Sequence, residues 1–128
     1  MAKRVVLGIL EDMEYLYFPW EIASQATHRP SVTLWFGTFE ECFAKLSMVD
    51  ILVADWELTD PVLQTSKYLF DFIPEIRKQF RGPIVLYSVN KPPPEIAHEF
   101  ALVLSNPTKS PPDLDWLMDS VLPATSKG

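Results

Sequence analysis

Cysteine occurs once in this sequence, at Cys42. A single thiol closes no internal disulfide and completes no thiolate metal cage or redox pair, so a reducing compartment is the expectation. Glycine is scarce as well: Gly8, Gly37, Gly82 and Gly128 are the full set. They form neither a Walker A loop nor a G-x-G-x-x-G turn, which argues against a nucleotide enzyme. Positive charge is short, with 11 Lys and Arg against 17 Asp and Glu and a formal net charge of −6. Direct nucleic-acid binding is therefore not expected, because displacing the counterions of a phosphate backbone takes a surplus of cations. No apolar run is long. Val5 to Leu10 is far too short to cross a bilayer, and Met1-Ala-Lys-Arg4 leads into it without the apolar core and cleavage site of a secretory signal. A soluble, cytoplasmic protein with no membrane contact is the expectation.

What the sequence does hold is enough apolar residue for one packed core: 48% of its 128 residues are hydrophobic. Five short apolar stretches recur, at Val5 to Leu10, Val32 to Phe36, Ile51 to Ala54, Ile84 to Tyr87 and Phe100 to Leu104. Four are nearly continuous runs, as strands are when helices cover both faces of a parallel sheet. In the second, Val32, Leu34 and Phe36 alternate with Thr33 and Trp35, which suits a strand nearer the sheet edge. Between the strands the period becomes helical. Tyr15 to Thr27 can form a helix, which Pro19 must either start or kink. Thr38 and Glu41 make a capping box ahead of the stripe Phe39, Cys42, Phe43 and Leu46. Leu69, Phe72, Ile73, Ile76 and Phe80 share that spacing and stop at Gly82-Pro83, with Pro74 inside the pattern. A short fourth helix is expected from Pro94 to about Glu99, and a last one from Asp113 to Leu122. The twelve prolines, including Pro92-Pro93-Pro94 and Pro111-Pro112, punctuate these segments. The fold class is thus α/β: a flavodoxin-like, doubly wound, five-stranded parallel sheet in the order 2-1-3-4-5, with helices on both faces. Residues 1–123 form the domain, and 124–128 are expected to be a flexible tail.

In that order strands 1 and 3 lie side by side where the winding reverses, and ligands bind at the carboxyl ends of such strands. Glu11 and Asp12 end strand 1, and Asp55 ends strand 3. Taken singly, an Asp after a strand is most often a turn former. Together they make a group of like charges that persists only with a cation or with protonation. Oxygen ligands of this kind favour Mg²⁺ or a similar hard ion.

At these residues the chain resembles the receiver domain of two-component response regulators. Val6-Leu-Gly-Ile-Leu-Glu-Asp12 is similar to the family's first strand and acidic pair. Val49-Asp-Ile-Leu-Val-Ala-Asp55 is similar to the segment that carries its phosphoacceptor aspartate. Pro83-Ile-Val-Leu-Tyr-Ser88 resembles the fourth strand, and Leu104-Ser-Asn-Pro107 stands where the family has a Lys-Pro. The likeness spans about residues 4 to 122. It implies a phosphorelay signalling domain rather than an enzyme, with Asp55 as phosphoacceptor. Mg²⁺ would be held by Asp12 and Asp55, by Glu11 through water, and by the backbone carbonyl of Glu57. Ser88 would hydrogen-bond the phosphoryl group, and Asn106 would take the place of the lysine. A histidine kinase or phosphotransfer protein is the implied donor, and a homodimer through the fourth and fifth helices the implied assembly.

The chain also departs from that pattern. Asn106 offers a neutral hydrogen bond where lysine offers a charged one, a difference of roughly 1 to 2 kcal/mol. Lys109 or Lys91 would have to reach across to replace it. Val103 stands where many receivers carry a signalling aromatic, and three prolines stiffen the segment from Ser88 to Asn106. The alternative reading is therefore a pseudo-receiver, a phosphorylation-independent interaction or scaffold domain. His28, His98 and Ser88 show no arrangement that would make a hydrolase, and Cys42 fits core packing. Trp56, beside Asp55, is either a packing residue or a cover for the site.

Overall fold

A computed structural model of the chain describes residues 3–60, 62–88, 91–105 and 110–122. In chain order the elements are β1 (Val5–Leu10), α1 (Glu14–Ser24), β2 (Ser31–Phe36), α2 (Phe39–Lys45), a 3-10 turn (Leu46–Met48), β3 (Ile51–Ala54), β4 (Glu57–Thr59), β5 (Ser66–Tyr68), α3 (Leu69–Gln79), β6 (Ile84–Ser88), a 3-10 helix (Pro94–Glu99), β7 (Leu102–Ser105) and α4 (Leu114–Val121). Five strands form one parallel sheet in the order β2-β1-β3-β6-β7. This is the expected 2-1-3-4-5 order, and β1 and β3 are neighbours at the reversal. Among the described residues no helix is long and apolar enough to cross a membrane.

Strand alternation divides the core into two layers. Leu10, Phe36, Leu52, Ala54, Ile84 and Leu86 pack against Phe39 and Cys42 of α2 and Leu69, Ile73 and Ile76 of α3. Their chain neighbours Leu7, Ile9, Ile51, Val53, Val85 and Tyr87 face the other way, against Tyr17 and Trp20 of α1 and Leu114, Leu117 and Met118 of α4. Runs of Val, Ile and Leu are needed because both faces of the central strands are dry. The edges differ: β2 is half-exposed, and β7 alternates partly buried with exposed residues. The apolar run at Phe100 to Leu104 suggests a strand covered on both faces, which the exposed positions of β7 correct. The short helix ahead of it, Pro94–Glu99, is a 3-10 helix with no fully buried residue, and Val103 of β7 is exposed.

Helix ends follow local chemistry. Thr38 Oγ1 accepts from the Glu41 amide at 3.1 Å, which starts α2 at Phe39. Asp113 does the same for α4 through the amides of Asp115 and Trp116. The neighbouring Asp115 carboxylate accepts from the amides of His28 and Arg29, and these bonds hold its carboxyl below the usual range. Any stability from this contact is present above the ordinary carboxylate pKa and fades as pH falls through the lowered one. Helix α1 runs through Pro19 but closes at Ser24, short of the expected Thr27. Arg77 ties the end of α3 to its surroundings by donating to the carbonyls of Gly82 and Glu99.

Two consequences are measurable. A methyl group added at Gly8 would lie 2.7 Å from Phe36 Cε2 and 2.9 Å from a Val49 methyl. Both side chains belong to the packed layer under α2, so Gly8→Ala should cost about 1 to 3 kcal/mol in urea unfolding. Cys42 is fully buried, and burial pushes its thiol pKa up to about 12. The thiolate is the reactive form, so a disulfide reagent at neutral pH should leave native Cys42 unmodified and label it rapidly in urea.

Candidate functional site

The carboxyl ends of β1 and β3 are level, because Leu10 pairs with Ala54. The residues that follow therefore emerge side by side, and one carboxylate oxygen each from Glu11, Asp12 and Asp55 lies within 4.8 Å of the other two. Glu11 is 1% exposed, while Asp12 and Asp55 are half-buried at the rim. This is the convergence expected from the sequence.

Like charges at this spacing must be held in place, and backbone amides orient them. The Glu11 amide donates to the Phe36 carbonyl at 3.0 Å and the Asp55 amide to the Leu10 carbonyl at 3.0 Å, so the ladder continues one residue past each strand. Glu11 Oε2 accepts from the Met13 amide at 3.2 Å, and Asp55 Oδ1 from the Trp56 amide at 2.7 Å. Trp35 reaches over from β2 and donates its indole Nε1 to the Glu11 carbonyl at 2.7 Å. Its ring stacks on Tyr17, with centroids 5.8 Å apart, and the Tyr17 hydroxyl meets Thr33 Oγ1 at 2.8 Å. Trp35 thus buttresses the loop that presents Glu11 and Asp12.

Sequence reasoning missed a second support, the antiparallel hairpin β4-β5. Asp60-Pro61 between the two short strands was the available turn signal. The Asp60 amide donates to Thr65 and the Leu69 amide to the Trp56 carbonyl, which makes Thr59–Ser66 and Glu57–Tyr68 the non-hydrogen-bonded pairs of the ladder. Residues of such pairs turn both N–H and C=O away from the partner strand. The Thr59 amide accordingly points outward, and it donates to Asp12 Oδ2 at 2.8 Å. The Glu57 carbonyl leaves β4 along that same edge. The hairpin is also tied to α2 by Lys67 and Glu40, 3.2 Å apart. Glu40's own backbone amide and the Lys67 ammonium hold its carboxyl below the ordinary value. At the hairpin tip the Asp60 carboxylate accepts from the amides of Leu63 and Val62, which lowers its pKa in turn.

The remaining expected residues fall as follows. Ser88 is buried at the carboxyl end of β6, the strand next to β3. Trp56 is half-buried against the layer under α2 and α3, so it packs as well as flanking Asp55. Lys91 is exposed. Asn106 and Lys109 lie outside the described residues, as does the tail at 124–128. His28 and His98 are not members of the acidic cluster.

No protein-family model and no curated protein matches the chain. Solved structures do. The response regulator receiver domain (CheY-like) from Methylobacillus flagellatus aligns with a TM-score of 0.73 at 14% identity, over 94% of this chain and 100% of that one. The chain has the receiver-domain fold. A phosphorylated cyanobacterial phytochrome response regulator, RcpA, aligns with a TM-score of 0.59 at 14% identity, over 91% of this chain and 88% of its own. The pseudo-receiver domain of the CikA protein aligns with a TM-score of 0.56 at 12% identity, over 92% and 93% respectively. Receiver-fold chains similar to this one therefore include both a phosphorylated protein and a pseudo-receiver.

The donor set fits a hard divalent ion: three carboxylates converge, and a backbone carbonyl leaves β4 on the edge that faces Asp12. In a metal-free buffer the same cluster is a source of repulsion. Asp12→Asn keeps an acceptor for Thr59 and removes one charge, so it should stabilise the metal-free fold by about 1 to 2 kcal/mol. Urea unfolding with a chelator measures this. A variant no more stable than the wild type would mean that the cluster carries no net repulsion.

Proposed function

We propose that the chain is a receiver domain in two-component phosphorelay signalling, which accepts a phosphoryl group on Asp55 in the presence of Mg²⁺. The observation that carries this reading is the convergence of Glu11, Asp12 and Asp55 at the strand reversal of a receiver fold. Bound there, Mg²⁺ would neutralise charge on the acids and on the incoming phosphoryl oxygens. Its ligands would be Asp12, Asp55 and the Glu57 carbonyl, with Glu11 acting through water.

The chain's own residues supply the nucleophile and its placement. A carboxylate oxygen of Asp55 attacks the phosphorus of a phosphohistidine. The P–O bond of an acyl phosphate forms, the P–N bond breaks, and its electron pair returns to the imidazole. The Trp56 amide bond to Oδ1 orients the carboxylate for that attack. Ser88, at the end of β6, would donate to the phosphoryl oxygens and pass the change to the segment that follows. Asn106 would supply a neutral hydrogen bond in place of the family's lysine. The donor is a histidine kinase or a phosphotransfer protein. Tyr15, Phe18 and Ile22, exposed along α1 from its end beside the acids, offer that donor an apolar surface. Self-association through the 3-10 helix and α4 has less apolar surface to use, with Trp116 exposed on α4.

A second reading, the pseudo-receiver, draws on Asn106 and on the likeness to the CikA domain. In that case the acidic mouth is retained while the domain works by contact with partners.

One experiment separates the two. The protein is incubated with Mg²⁺ and a small phosphodonor and its intact mass is measured. A phosphoryl adduct that is absent in Asp55→Asn and without Mg²⁺ is the expected result. An unchanged wild-type mass under the same conditions would sink the phosphorelay reading and favour the pseudo-receiver.

A further inference from the structure

The hairpin β4-β5 meets the acidic mouth at a charged acceptor, Asp12 Oδ2, through the Thr59 amide. The ladder makes this contact cheap, because Thr59 sits in a non-hydrogen-bonded pair and its N–H is not needed by β5. An ionised carboxylate offers about four acceptor sites, so this bond fixes the rotation of the Asp12 side chain and leaves other lone pairs for a cation. The far side of the hairpin is anchored as well, by Lys67 on Glu40 of α2, and its base is closed by the Leu69 amide on Trp56. Asp12 is thus held from both ends: by β1 through its backbone, and by the seated hairpin through its side chain.

We propose that the β4-β5 hairpin is the positioning element of the cation site, so that a bound divalent ion and the seated hairpin stabilise one another. The proposal rests on the Mg²⁺ reading above. Its physical basis is that a ligand oriented by an outer hydrogen bond binds metal more tightly than one left to rotate, typically by tenfold or more. Reciprocity follows by linkage: whatever factor the hairpin contributes to cation affinity, the cation contributes to hairpin closure. Occupancy of the mouth would then be felt at the hairpin tip, where Val62 and Leu63 are exposed.

The test is a calorimetric titration with Mg²⁺ alone on the wild type, Thr59→Pro and Thr59→Ala. Proline removes the donating N–H at an edge position where no ladder bond is lost, while alanine keeps the amide. The expected result is about tenfold weaker Mg²⁺ binding in Thr59→Pro and wild-type affinity in Thr59→Ala. A second measurement needs no variant: amide exchange at Leu58, Asp60 and Leu69 of the wild type, with and without saturating Mg²⁺. Exchange there should slow by a similar factor. Equal affinity in all three proteins, with unchanged hairpin exchange, overturns the coupling and leaves the Mg²⁺ site standing. Failure of the wild type to bind Mg²⁺ at all overturns both.

Discussion

Three carboxylates within 4.8 Å of one another would spread apart if they were carried on free loops. They stay together because each begins at the end of a strand that cannot move. β1 and β3 lie in the middle of the sheet, covered on both faces, and their pairing continues one residue beyond the strands into Glu11 and Asp55. Repulsion between the acids is therefore opposed by the packing of the whole core. A net hydrogen bond is worth only about 1 kcal/mol, so the few amides at the mouth orient the acids without being able to hold the cluster alone.

This division of labour explains which supports are polar and which apolar. The two packed layers set where the strand ends lie. Trp35, Thr59 and the amides of Met13 and Trp56 then set the orientation of each acid. Trp35 serves both purposes, since its ring stacks on Tyr17 while its indole nitrogen reaches the Glu11 carbonyl. A residue on an edge strand can do this because one of its faces lies beyond the helices, at the rim where the loops gather.

The sheet order, the helices and the meeting of Glu11, Asp12 and Asp55 were legible because they follow from hydrophobic period and the right-handed crossover rule, which depend on residue type alone. Less legible was whatever depends on register. That the Thr59 amide faces Asp12 follows from how β4 pairs with β5, and strands of three residues carry too little pattern to reveal pairing. Trp35 read as an edge-strand residue, which it is, but its bond to a carbonyl 24 residues away in sequence leaves no periodic mark. The short helix expected at Pro94 to Glu99 is present, and it is a 3-10 helix. Pro93 and Pro94 at its start fix the backbone angle and withhold amide donors, and the segment closes in tighter turns with only Ile96 partly buried against the core.

That uncovered flank bears on how such a domain can transmit a change. In β7 the exposed Val103 gains little from staying where it is, and the 3-10 helix that precedes β7 has no fully buried residue, only Ile96 partly buried against the core. Elements with few buried contacts open at low free-energy cost. By contrast α2 and α3 are fastened by Phe39, Cys42, Leu69, Ile73 and Ile76. A disturbance at the mouth would act first on what bonds to the acids themselves. The β4-β5 hairpin bonds to Asp12 through the Thr59 amide, and Lys67 and the buried Leu58 tie it to the rest of the fold. Among the described residues the segments beyond β6 contribute no carboxylate to the mouth, whereas the hairpin bonds one of the three acids directly. A change in charge at Asp12 thus reaches the hairpin through the Thr59 hydrogen bond.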